Sequence, residues 1–125
     1  MVVVDTDIII WILRGNQEMR SKFYDLENQI SENLFITPVQ LAEIYSGIRE
    51  RERSDTKYFI ETLRIIDINE EIGLLAGELL NKYKKSHNLT LADSLTGAAT
   101  KYNNFRLWTL NKKHYPMFDY DELFI

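Results

Sequence analysis

The sequence predicts an α/β fold, three layers α/β/α around a mostly parallel central sheet. Short unbroken apolar runs of strand length recur along the chain, beginning with Val2, Val3 and Val4, and such runs suit strands covered on both faces. Apolar stripes at helical spacing separate those runs. No repeat, low-complexity stretch or Gly/Ser linker interrupts the alternation. Strand and helix therefore follow one another as in βαβ units, within one domain over residues 1–125.

The elements read in order as follows. The valines form a first strand with Asp5 at its carboxyl end, and the helix after it runs on through Trp11 and Leu13. Residues 34–37 form a second strand, after which the helix-start signals stack. Thr37 is the N-cap, Pro38 suits the first helical position, Gln40 completes a capping box and Ile36 staples onto Leu41. Leu41, Ile44, Tyr45 and Ile48 then recur at i, i+3, i+4 and i+7. The charged stretch "RERERSDTK", residues 49–57, reads as a solvated helix end and loop. Residues 65–68 form a third strand, followed after Asn69 by the stripe Ile72, Leu75, Ala76, Leu79 and Tyr83. Another helix follows Thr90 with Leu91, Leu95, Ala98 and Tyr102. Residues 105–109 form a fourth strand, and the tail, residues 118–125, adds a last short one. Trp11 and Trp108 are assigned to the core.

Composition narrows the chemistry. A chain of 125 residues buries roughly two thirds of the surface its unfolded form exposes, so no staple is needed. The absence of cysteine removes disulfides and thiolate metal sites, and two histidines, His87 and His114, make a zinc centre a poor expectation. A metal here would be held by oxygen, which favours Mg²⁺ or Mn²⁺. The amino terminus lacks a basic leader, and no apolar run reaches the length of about 18 residues that a membrane span needs. A cytoplasmic, non-membrane protein is expected. A net charge of −4 argues against gripping nucleic acid by bulk charge, yet is compatible with a nuclease carrying a local basic rim.

In an open parallel sheet, ligands bind beyond the carboxyl ends of the strands. Asp5 lies there, where it reads equally as a helix N-cap. Asp7 fits the first helical turn. Glu43 lies in the second turn of the helix after strand two, with Gly47 one turn on hinting at a close approach; a solvated surface glutamate is the plain alternative. Asp93 ends "TLAD", a capping-box pattern of its own, but its face continues as Thr96, Gly97 and Thr100, small enough to leave room for an ion. Asn111 follows strand four, where it reads also as a turn residue. Four oxygen-bearing side chains from four segments thus map to one sheet edge, where carboxylates would repel unless a divalent cation sat among them.

These segments resemble the PIN-domain proteins. "VVVDTDIII" resembles that family's opening motif, "TPVQLAEIYSGI" its second, "LTLADSLTGAATKY" its third and "LWTLNKKHYPMF" its fourth. Order, spacing and length are similar to the VapC-like toxins of toxin–antitoxin pairs. The resemblance implies a Mg²⁺- or Mn²⁺-dependent endoribonuclease, homodimeric and held inactive by a cognate antitoxin. It implies that Asp5 and Asp93 ligate metal, that Glu43 completes the acidic cluster, and that metal-activated water attacks an RNA phosphodiester in line. Asn111 stands where some relatives carry Asp, so a second ion would be held more weakly and one bound ion is expected. Candidates for RNA contact are Arg14, Arg49, Arg51, Lys112 and Lys113, the lysines foremost because they flank Asn111. His114 is expected to pack or cap within its loop. A rival reading is a haloacid-dehalogenase-like phosphatase with Asp5 as nucleophile, since that family also begins with a strand and Asp-x-Asp. Ile8 and Ile9 do not fit its pattern, and no paired late acidic motif follows.

Overall fold

In the computed structural model, which describes residues 1–29 and 33–124, four parallel strands form one sheet. The strands are β1 (Val2–Val4), β2 (Leu34–Ile36), β3 (Arg64–Ile65) and β4 (Arg106–Trp108), in the spatial order β3-β2-β1-β4. The helices are α1 (Thr6–Leu13), α2 (Gln17–Glu27), α3 (Pro38–Gly47), α4 (Arg53–Ile60), α5 (Glu70–His87) and α6 (Leu91–Tyr102). The α/β/α expectation holds in this arrangement.

The valine run is explained by its place. β1 is central, with Val2 opposite both Leu34 and Arg106, and Val3 opposite both Phe35 and Leu107. Alternate side chains feed opposite layers. Val2 and Val4 join Ile8, Ile9, Ile12, Phe23, Ile44 and Ile60 of the first four helices, whereas Val3 joins Ile72, Ala76, Ala98 and Ala99 of α5 and α6. All three valines are fully buried. A strand with core on both faces tolerates no polar residue until it ends, so the first one, Asp5, marks its carboxyl end.

Thr37 caps α3 as read. Its hydroxyl accepts from Val39 N at 3.1 Å, and Gln40 Oε1 accepts from Thr37 N at 2.9 Å. Gln40 does more than cap. It is fully buried, accepts also from Thr37 Oγ1 at 2.7 Å and donates through Nε2 to Thr96 Oγ1 on α6 at 2.8 Å. This polar bridge joins the two helical layers around the sheet. Gln40→Met fills similar volume but strands the Thr37 N–H, so it is expected to lower stability by about 1–3 kcal/mol, read as a shift in the urea midpoint.

Several expectations are corrected. The third strand is Arg64–Ile65 rather than 65–68, both residues exposed; as an edge strand it pairs on one side only and stays short. Residues 49–57 are not a helix end and loop: a 3-10 turn at Glu50–Glu52 runs into α4, which buries Thr56 and Ile60 beneath its charged face. Among its described residues, 118–124, the tail forms no strand. A 3-10 turn at Tyr120–Glu122 leads to a single bridge between Leu123 and Leu107, and Ile125 lies outside the described residues. Trp108 is core at 3% exposure, but Trp11 is 44% exposed, because Ile8, Ile9 and Ile12 take the buried face of α1. No space for an ion lies along Thr96, Gly97 and Thr100 either. All three are buried, and a Cβ on Gly97 would come within 3.2 Å of Met117 Cε. Gly47 meets no close neighbour.

Candidate active site

Asp5 continues the parallel ladder by one bond, donating its N–H to Trp108 O at 2.9 Å. Its side chain then serves two purposes. Oδ1 accepts from Thr6 N at 2.9 Å and caps α1. Oδ2 accepts from Thr109 Oγ1 and from the Tyr115 hydroxyl, each at 2.9 Å. Oδ1 accepts once and Oδ2 twice, so beside its cap bond Oδ1 keeps a lone pair for a ligand and the two readings of Asp5 are compatible.

Asp93 is likewise capped from behind, Thr90 Oγ1 accepting from its N–H at 3.1 Å. Its carboxylate faces the same hydroxyl: Oδ1 accepts from Tyr115 OH at 3.3 Å, while Oδ2 lies 3.5 Å from His114 Nδ1. One hydroxyl carries one hydrogen. Here it sits between two carboxylates, so the pair is short of positive charge. Burial raises the Asp93 carboxyl above its ordinary value, with repulsion from Asp5 second, and the Tyr115 hydroxyl is pushed far up by its burial and by both neighbours. Tyr115 and His114 come back to the sheet edge on the irregular path beyond β4, which carries no periodic signal. His114 thus faces Asp93 rather than capping its loop.

Asp7 forms the opposite flank. Oδ1 accepts from Ile8 N at 2.7 Å, as a first-turn acid should. Oδ2 accepts from Leu110 N at 2.9 Å, from Asn111 Nδ2 at 3.1 Å and from Thr109 Oγ1 at 3.4 Å. Burial, and then Asp5, raise its carboxyl as well. Asp7 ties the loop after β4 to α1, and Thr109 links it to Asp5. The Asn111 amide is engaged as a donor to Asp7, with its oxygen left for another partner.

Glu43 is exposed and enters through Thr6, whose Oγ1 donates to Glu43 Oε1 at 2.7 Å. Arg14 and Glu43 line the same small cleft, of about 190 Å³. Lys112 and Lys113 stand in the 3-10 turn Lys112–His114, beside Asn111 and His114. Arg49 is exposed and its N–H donates to Glu52 Oε1 at 3.0 Å, capping the turn before α4; Arg51 is exposed in that turn. Neither arginine contacts the carboxylates.

Among the described residues, no group of three or more His, Cys, Asp or Glu side chains is arranged to enclose a metal. The donor set is open and oxygen-only, two carboxylates sharing one hydroxyl. That suits Mg²⁺, which keeps several waters and uses one or two carboxylates plus substrate phosphate.

A family model for the PIN domain matches residues 2–117. Ribonuclease VapC10 of Mycobacterium tuberculosis is 32% identical over 120 residues, spanning 95% of this chain and 89% of its own. Ribonuclease VapC3 of Methanocaldococcus jannaschii is 28% identical, over 80% of this chain and 97% of its own. Among solved structures, a toxin-antitoxin complex from Klebsiella pneumoniae superposes with a TM-score of 0.80 at 19% identity, covering 100% of this chain and 97% of that one. VapBC-1 from nontypeable Haemophilus influenzae gives 0.77 at 21% identity, over 92% and 90%. These two structures share the fold. With a family match over residues 2–117 and a VapC ribonuclease 32% identical across nearly its whole length, this chain belongs to the PIN-domain family, on its VapC ribonuclease branch.

Proposed function

We propose that this chain is a divalent-cation-dependent endoribonuclease, the cytoplasmic toxin of a toxin–antitoxin pair. The observation that carries it is the convergence of Asp5 and Asp93 on the single Tyr115 hydroxyl at the carboxyl edge of the sheet. Family membership supplies the substrate class, since the relatives are named ribonucleases. The phosphatase alternative has no support among them. The neighbouring structures are toxin-antitoxin complexes, which supports a small cognate antitoxin as partner; a homodimer is the assembly proposed.

Asp5 and Asp93 would hold Mg²⁺ or Mn²⁺, one ion. When bound, the cation supplies a water nucleophilic at neutral pH and offsets charge gathering on the phosphate. The chain's own residues do the rest. Tyr115 and Thr109 orient the Asp5 oxygen. Glu43, held by Thr6, adds an acceptor at the rim that would orient attacking water. Asn111, fixed by Asp7 through its Nδ2, would offer its amide oxygen to the site, with Asp7 as a positioning residue. Arg14, Arg49, Lys112 and Lys113 would contact RNA phosphates, the two lysines from the turn that also carries His114.

Incubation of the chain with defined RNAs, tRNA included, tests this. Cleavage is expected with Mg²⁺ or Mn²⁺, to fall to background with excess EDTA and to return when the cation is restored. Cleavage that persists undiminished in EDTA contradicts the reading.

A further inference from the structure

Beside the carboxylates opens a second cavity, of about 450 Å³, within the range of about 300–1,000 Å³ that small ligands occupy. It begins at the site itself, because Thr109, Asn111 and His114 line its near end. The far part is different in character. Met19, Trp108 and Phe124 supply an apolar floor, with the Phe124 ring set edge-on to Trp108 at 5.3 Å. Leu110, 47% exposed, forms one lip.

The walls carry Lys22, Lys112 and Lys113, and no Asp or Glu is among the lining residues. In a chain of net charge −4, three cations without an acid beside an apolar floor are a local exception. Lys22 comes from α2, far from the others in sequence. Its ion pair among the described residues, to Glu18 at 3.5 Å, is an exposed i,i+4 contact, which holds the ammonium only weakly.

An apolar floor with a cationic rim matches a nucleotide: base below, phosphate at the lip. The geometry points to a nucleotide-binding subsite in which the base next to the scissile phosphodiester sits over Phe124 and Leu110 while Lys22 and Lys112 engage its phosphate. The inference rests on the ribonuclease reading and adds to it a place where sequence preference is set. An acidic protein segment could also meet lysines. RNA is favoured because Thr109, Asn111 and His114, which line the cleft, also contact Asp5, Asp7 and Asp93, beside which the reacting phosphate must lie.

The test uses the full chain and short RNA oligomers in which one abasic nucleotide is moved stepwise along the strand. Two readouts are taken, cleavage with Mg²⁺ and fluorescence anisotropy of binding in EDTA. For the wild type, abasic substitution at one position flanking the cut is expected to lower kcat/KM and affinity by roughly 5- to 100-fold. In Leu110→Ser, which changes an exposed side chain, and in Phe124→Ala, that positional penalty shrinks. Lys22→Glu weakens binding with the intact oligomer and Lys22→Arg restores it. The subsite is overturned if the abasic penalty is the same in wild type, Leu110→Ser and Phe124→Ala, or if Lys22→Glu binds as wild type. Should the chain bind with this pattern but cut nothing, the nuclease reading falls and the subsite stands. Cleavage without the pattern gives the reverse, and leaves the cleft to a protein segment.

Discussion

Asp5→Asn is expected to abolish RNA cleavage, lowering it on the order of 10³-fold, while leaving the fold intact. Asparagine has one acceptor oxygen and one NH₂ donor where aspartate has two acceptors. Placed with its oxygen toward Thr6 N, the amide keeps the α1 cap, because Asn caps as well as Asp. Its NH₂ then faces Thr109 and Tyr115, whose hydroxyls can turn to accept and redirect their hydrogens toward Asp7 and Asp93. Every buried polar group stays satisfied, so the cost to stability is expected at about 1 kcal/mol or less. The charge that would hold the cation is gone. Circular dichroism and thermal unfolding alongside the cleavage assay separate these two outcomes.

Asp93→Asn is expected to remove activity to a similar extent and to raise Tm, by roughly 2–5 °C at neutral pH. Its carboxyl is raised by burial and by Asp5, so in the metal-free chain ionising it costs more in the folded state than in the unfolded one and lowers stability. This penalty is present at pH above the folded-state pKa, is relieved as pH falls through it, and is gone below the ordinary carboxyl value. The gap in Tm between variant and wild type should therefore be widest near neutrality and close on acidification. Added Mg²⁺ should close it from the other side, stabilising only the wild type. A variant that melts lower than the wild type throughout would contradict the picture of two carboxylates sharing one hydroxyl.

Much of this architecture is legible in the residues because it is local. Val2 to Val4 announce a central parallel strand, and Thr37-Pro38 and Thr90 announce helix starts by cap chemistry alone. From those three points the places of Asp5, Glu43 and Asp93 follow. Helices α2 and α4 are harder to see, since each buries only a few residues, Met19, Phe23 and Leu26 or Thr56 and Ile60, amid charged neighbours. Hydrophobicity gives no direction to Trp11, whose helix has enough isoleucine to bury another face. The groups that tie the site together are the least legible. Thr109, Tyr115 and His114 meet Asp5, Asp7 and Asp93 across more than 20 positions or 100 of them, through an irregular path that no period describes.

Whether Asp5 and Asp93 form a single cation site is tested, without needing to know the RNA target, by Mn²⁺ titration of the metal-free chain followed by electron paramagnetic resonance of the free ion. One Mn²⁺ per chain is expected to bind the wild type, with affinity at least about 10-fold weaker in both Asp5→Asn and Asp93→Asn. Equal binding by the wild type and both variants would contradict it.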